Sequence, residues 1–266
     1  MIDIHHHLLP GIDDGSRDLA TSLAMVQMAV EDGITHIVAT PHANHTYSYD
    51  RDRNQGLLDE IRNALPDETR KRVQLGLGCD FHLNFENVED ARVNGTRYTI
   101  NQTEYLLVEL PDFNIPTRLD EVLYNLRVAG LTPILTHPER NGTLQRSPER
   151  LTDWIKSGLL VQVTAGSVLG AFGTKARDMA WRLLRAGSVQ FLATDAHDTV
   201  RRPPRMMEAR VQVEKRLGAE LADLLCVGNP LAVFEGRPLP TQPSLRSIEN
   251  EDGEGKSIWK RLFGGV

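Results

Sequence analysis

Apolar and β-branched positions along the chain fall into short runs. Between them lie longer stretches where apolar residues recur every three or four positions. The short runs are residues 2–5, 35–40, 73–79, 105–110, 132–136, 160–164 and 189–194. Each has the length and composition of a buried strand. Leu19, Leu23, Val26 and Val30 recur at helical spacing, and Gly33 follows as a stop. Similar periodic stretches cover 54–65, 119–129, 148–156, 175–186 and 204–217. Strand–helix alternation of this kind predicts an α/β fold of repeated βα units on parallel strands. Seven strands point to a β/α barrel close to the eight-stranded kind. An open doubly wound sheet is the alternative, but no G-x-G-x-x-G follows the first strand.

The pattern changes at Arg237. Pro238, Pro240 and Pro243 precede an acidic, glycine-containing stretch at 249–255. We therefore expect a barrel domain over 1–236, a disordered linker over 237–255, and a separate tail at 256–266. On a helix, Ile258, Trp259, Leu262 and Phe263 of the tail would share a broad apolar face. Lys256, Lys260 and Arg261 would supply positive charge. Such a segment fits peripheral contact with an anionic membrane surface or docking on a partner.

Composition narrows the function classes. The chain has 266 residues, 40% hydrophobic and 25% charged, enough for one sizeable core. Its net charge of -6 argues against broad nucleic-acid binding. It has no apolar run of membrane-spanning length, and residues 1–10 lack the pattern of a signal peptide. The expected location is the cytoplasm. Two cysteines, Cys79 and Cys226, make neither a disulfide framework nor a thiolate zinc site. Neither has an arginine six residues on (Phe85 and Ala232 stand there), so neither is a phosphate nucleophile of the cysteine-dependent kind. Gly166 and Gly170 are not followed by the Lys-Ser/Thr ending of a P-loop.

The chemistry lies at the strand ends. The first strand ends in His5-His6-His7, the second is followed by His42, and the third by Asp80. The fourth carries Glu109, the fifth is followed by His137, and the seventh by Asp195 and His197. In α/β barrels the C-terminal strand ends form one rim, where the active site sits. So many carboxylates gathered there repel one another unless cations neutralise them. Mixed nitrogen and oxygen donors suit zinc, manganese or iron. Residues two apart on a strand point the same way, so His5 and His7 can share a metal while His6 points elsewhere.

Six segments, in order over residues 1–236, carry a resemblance. They are Ile2-Asp3-Ile4-His5, Asp13-Asp14-Gly15, Ala39-Thr40-Pro41-His42, Thr136-His137-Pro138-Glu139-Arg140, Thr194-Asp195-Ala196-His197 and Arg202-Pro203-Pro204. The sequence resembles the polymerase and histidinol phosphatase (PHP) superfamily of trinuclear metallohydrolases. Within it, the sequence is similar to the bacterial manganese-dependent protein-tyrosine phosphatases of capsule and exopolysaccharide clusters. The resemblance implies a distorted seven-stranded β/α barrel and up to three divalent metals, with manganese foremost and zinc or iron as alternatives. It implies one metal on His5, His7 and Asp195, a second on Glu109 and His137, and a third on Asp14, His42 and His197. A carboxylate bridges the first two metals in the family; it is usually Glu, and here Asp80 takes that place. Arg140 and Arg202 match phosphate-binding arginines. His82, two residues beyond Asp80, is not assigned as a ligand.

The implied function is hydrolysis of phosphotyrosine on a protein, the partner being a membrane-bound tyrosine autokinase. The alternatives are a small-molecule phosphatase such as histidinol phosphatase and a non-catalytic metal-binding adaptor.

Overall fold

The computed structural model describes residues 1–111, 115–246 and 248. Its strands are β1 (Ile2–His6), β2 (His36–Ala39), β3 (His42–Ala43), β4 (Gln74–Leu77), β5 (Asp80–His82), β6 (Tyr105–Glu109), β7 (Thr132–Thr136), β8 (Leu160–Thr164) and β9 (Phe191–Ala193). Every strand pairing is parallel. The strands form one sheet ordered β1-β2-β4 and a second ordered β3-β5-β6-β7-β8-β9.

All seven expected runs hold strand, and two short strands, β3 and β5, follow just beyond the second and third runs. Pro41 separates β2 from β3: a proline has no N–H to give a ladder. The backbone nevertheless stays tied across the break, with Gly78 N donating to Ala39 O at 2.8 Å and Asp80 N to Pro41 O at 3.1 Å. At the other end of the strand order, β9 meets β1. Asp195 N donates to His5 O at 2.8 Å and His7 N to Ala196 O at 2.9 Å, and His6 and Ala196 form a parallel bridge.

The two strand faces bury different clusters. Ile2, Ile4, Val38, Tyr105, Leu107, Ile134, Phe191 and Ala193 meet in one compact apolar group. The other face packs against helices, with residues such as Ile37, Leu77, Leu106, Val108, Leu135, Val161 and Leu192 in the larger cluster. Helix Leu19–Glu31 buries Met25, Val26, Ala29 and Val30 on this side. Asp18 caps its first turn by accepting from Thr21 N at 2.7 Å. Helix Arg51–Ala64 is capped in the same way by Asp50, which accepts from Arg53 N at 3.0 Å.

Helix Phe85–Asn94 was not expected, because its apolar positions are few. Asn84 starts it by accepting from Asn87 N at 2.8 Å, and it buries only Val88 and Ala91.

The expectation of a free linker from Arg237 is corrected for its first part. Residues 237–246 form neither helix nor strand, yet they lie against the domain. Tyr105 Oη donates to Arg237 O at 2.8 Å. Gln242 exchanges side-chain hydrogen bonds with the buried Asn229, Arg246 N donates to Ala186 O at 2.8 Å, and Ile248 is buried. Prolines supply extended backbone, and extended backbone can pack as a strap. The acidic stretch 249–255 and the tail 256–266 lie outside the described residues.

Candidate metal centre

Register and pleat decide what meets at the strand ends. His42 of β3 pairs with Asp80 of β5, and His82 of β5 pairs with Glu109 of β6. Paired residues in a parallel sheet share a face, as do residues two apart on one strand. His42, Asp80, His82 and Glu109 therefore all point to one side.

β1 needs a further device. Its pairing with β2 shifts register between Asp3 and His6. The alternation that places Ile2 and Ile4 in the apolar cluster thus does not run to the strand end. His5 Nδ1 lies 3.0 Å from Oε1 of Gln162, and Gln162 shares a strand face with Leu160, which packs on the same apolar cluster.

The structure brings together all nine residues expected as ligands. Four groups of donor atoms each fall within 4.8 Å: His7, Asp14, His42 and His197; His5, His7 and Asp80; His5, His137 and Asp195; His42, Asp80 and Glu109. Glu109 also lies 3.5 Å from His137. Asp80 is fully buried, with Oδ2 3.5 Å from His5 and 3.2 Å from His42, so its short side chain reaches two groups at once. His82 faces Glu109 at 3.5 Å but joins none of the four groups.

Two ligand candidates sit on strained backbone. His137 has φ 36° and Asp195 has φ 51°, both left-handed and both just past a strand. Such conformations cost of order 1–3 kcal/mol each and gather at functional sites. Here they turn each side chain off the strand direction toward the rim.

Burial and charge set the protonation of the cluster. Burial opposes charge on His5, but Asp195 and Asp80 outweigh it and lift the imidazole to about 9. Burial likewise opposes charge on His42, yet Asp14, Asp80 and Glu109 lift it to about 11. Burial and His7 push His197 down to about 4. Burial and Arg140 push His137 well below its ordinary value. Asp195 is held well below the carboxylate range: burial works against this, but Arg140 and His5 prevail. Asp80 is also held well below it, against burial, by His5 and His42. Glu109 goes the other way, raised by burial and then by Asp80. Without cations, then, protons on His5 and His42 and the charge of Arg140 offset the ionised carboxylates of Asp80 and Asp195.

The donors fit divalent cations. His42 Nδ1, Asp80 Oδ2 and His197 Nε2 are buried and make no hydrogen bond among the described residues, although buried polar atoms normally find partners. All three lie within the four groups.

Supporting residues appear that the sequence reading left aside. Asp13 Oδ2 lies 2.9 Å from His7 Nδ1 and accepts from His42 N at 3.2 Å. Gln162 does for His5 what Asp13 does for His7, leaving each imidazole's Nε2 for a cation. Asp3 ties the first strand to the last by accepting from Thr194 N at 2.9 Å and from its hydroxyl at 2.5 Å. Glu139 is buried and accepts from Ser167 Oγ at 2.6 Å and Thr164 N at 3.1 Å. The one available signal was proximity in sequence: Asp3, Asp13 and Glu139 lie inside the quoted motifs.

Above the cluster opens a cavity of about 450 Å³. Arg140 and Arg202 line it, together with Tyr47, Asn44 and His82. Both arginines reach Oδ2 of Asp195, Arg140 through Nη2 at 2.6 Å and Arg202 through its own Nη2. Cys79 and Cys226 are free and buried, and burial pushes both thiols up, that of Cys226 to about 12. This agrees with their exclusion as nucleophiles.

Parallel βα units with histidines and carboxylates gathered at the strand ends, beneath a pair of arginines, define a metal-site α/β protein shaped to hold an anion. More particularly, the chain belongs to the CpsB/CapC family of capsular polysaccharide synthesis, which it matches over residues 1–235. It is 34% identical over 248 residues to the tyrosine-protein phosphatase YwqE of Bacillus subtilis, covering 91% of this chain and 97% of that one. It is 26% identical over 253 residues to the tyrosine-protein phosphatase CpsB of Streptococcus agalactiae, covering 88% and 98%. The fold superposes with a TM-score of 0.87 and 30% identity on a crystal structure from work on YwqE of B. subtilis and CpsB of Streptococcus pneumoniae, described as unique metal-dependent tyrosine phosphatases. That match covers 94% of this chain and 100% of the other. The lactonase Lmo2620 of Listeria monocytogenes shares the fold alone, with a TM-score of 0.58 and 14% identity.

Proposed function

We propose that this chain is a metal-dependent phosphomonoesterase that hydrolyses phosphotyrosine on proteins. Its substrate would be a membrane-bound tyrosine autokinase of capsule or exopolysaccharide synthesis. The observation that carries this is the gathering of nine donor side chains in one cluster, under a cavity lined by Asp14, His42, Glu109, His137, Asp195 and His197 together with two arginines, in a family whose relatives are named tyrosine-protein phosphatases. The hydrogen bonds between β9 and β1 support a closed, distorted seven-stranded barrel in which β2 with β3, and β4 with β5, each count as one strand.

We assign up to three cations, manganese foremost. His5, His7 and Asp195 would hold the first; Glu109 and His137 the second; Asp14, His42 and His197 the third; Asp80 would serve the first two. When bound, the cations would lower the pKa of water and neutralise phosphoryl oxygens. The chain's own residues do the rest. Asp13 and Gln162 orient His7 and His5. Arg140 and Arg202 fork onto phosphate oxygens in place of Asp195. The work is cytoplasmic, and the tail at 256–266 would bring the enzyme to the membrane where such a kinase sits. No helix among the described residues is long and apolar enough to cross a membrane.

The test is turnover of a phosphotyrosyl peptide against histidinol phosphate, with and without chelator, across several divalent metals. Chelator-sensitive turnover of the peptide, lost with metal content in His5→Ala, His42→Ala and His137→Ala, is expected. Preference for histidinol phosphate would replace the protein substrate with a small molecule. Full metal occupancy in all three variants would refute the ligand assignment.

A further inference from the structure

Arg140 and Arg202 put two positive charges on a single carboxylate oxygen of Asp195. Two cations at one acceptor repel each other. A second carboxylate beside them would relieve this, but it would also cancel the charge that an incoming phosphate needs. The ring of Phe172 lies under both guanidiniums, its centroid 4.7 Å from Cζ of Arg140 and 5.9 Å from Cζ of Arg202. An aromatic face attracts cations through its quadrupole and carries no net charge.

The chain around Phe172 is built to hold that ring. It lies in a turn between helices Ala165–Leu169 and Thr174–Arg185. Gly170 and Gly173 flank the turn with φ of +91° and +87°, open only to glycine without strain. Ala171 N donates to Gly166 O at 2.9 Å, closing the turn. Gly166 approaches the ring closely: a Cβ there would stand 3.0 Å from Cε2 of Phe172. These glycines make no phosphate loop of their own; they seat an aromatic side chain beneath two arginines. From the other side, the carboxylate of Asp198 accepts from Val200 N and Arg201 N and fixes the loop that presents Arg202.

We propose that Phe172 is the positioning residue of the phosphate clamp, its π face holding Arg140 and Arg202 side by side while leaving their charge uncancelled. This rests on the reading that the two arginines bind phosphate. Nε of Arg202 is buried and donates to nothing among the described residues, and both arginines line the cavity.

The experiment measures inorganic phosphate binding by calorimetry on the full chain loaded with manganese, beside kcat/KM for an aryl phosphate. Phe172→Leu keeps apolar bulk and removes the π face. It should weaken phosphate binding about 5- to 30-fold, with metal content and thermal midpoint unchanged. Phe172→Trp should restore binding, a result that simple space-filling does not explain. In an Arg140→Ala, Arg202→Ala background, Phe172→Leu should change phosphate binding by less than about twofold, because the groups it positions are gone. Wild-type phosphate binding in Phe172→Leu, with binding weakened in the arginine variants, would overturn the role of Phe172 and leave the clamp standing. Unchanged binding in the arginine variants would remove the clamp and this proposal with it.

Discussion

At the scale of single residues, the proposed function separates groups that would hold cations from groups that would hold phosphate. Arg140 and Arg202 line the cavity over the donor cluster, and a guanidinium, always protonated, has no lone pair to give a cation. Arg140→Ala or Arg202→Ala should therefore keep metal and lose kcat/KM, by about 1.5–3 kcal/mol for a charge-assisted bond. Metal analysis and steady-state kinetics on the same samples check both halves. Asp80 and His82 make a second contrast. Asp80 is fully buried and reaches His5 and His42; His82 touches only Glu109 within the cluster. Asp80→Asn should harm activity far more than His82→Ala. The opposite order would transfer the bridging role away from Asp80.

At the scale of elements, two glycines show how differently the same residue can matter. Gly15 stands in the loop after β1, where a Cβ would come within 2.4 Å of both Cβ and O of His7. Gly15→Ala must push His7 off its position, so metal binding should fall together with thermal stability. Gly56 lies exposed within helix Arg51–Ala64, with nothing within 4 Å of an added Cβ. Gly56→Ala should stabilise the protein by about 0.5–1 kcal/mol through helix propensity and leave metal content unchanged. Chemical unfolding with and without chelator separates the two effects.

At the scale of the whole molecule, the charge balance of the cluster couples metal to protons. His5 and His42, raised to about 9 and about 11, are protonated at neutral pH in the ion-free protein. A cation must displace those protons, so its apparent affinity should rise with pH up to this range and fall as pH drops. Calorimetry in buffers of different ionisation enthalpy should show proton release on metal binding; none would contradict the shifts. The strap formed by residues 237–246 with Ile248 gives a further test. A chain ending at Gly236 loses the buried Ile248 and the Gln242–Asn229 bonds, and should melt lower than one ending after Ile248. Equal midpoints would show that the strap adds nothing. Sedimentation of the full chain and the longer truncation with anionic vesicles then isolates the tail.

What the chain determined by itself was the alternation of strand and helix and the placing of donors at strand ends. Both depend on local period and residue identity, and His5, His42, Asp80, Glu109, His137 and Asp195 could be read that way one strand at a time. Only tertiary structure decided the rest. Whether His5 faces inward depends on a register shift against β2 and on Gln162, 157 positions away. The tie from Asp3 to Thr194 spans 191 positions. Phe172, in a turn of glycine and alanine with no periodic partner, meets two arginines from the separate segments that follow β7 and β9. The prolines after Gly236 signalled extended backbone, and that signal is the same for a free linker as for a packed strap. Period and composition describe neighbours in sequence; these contacts exist only once distant strands have been brought side by side, and no local pattern encodes which atoms will then meet.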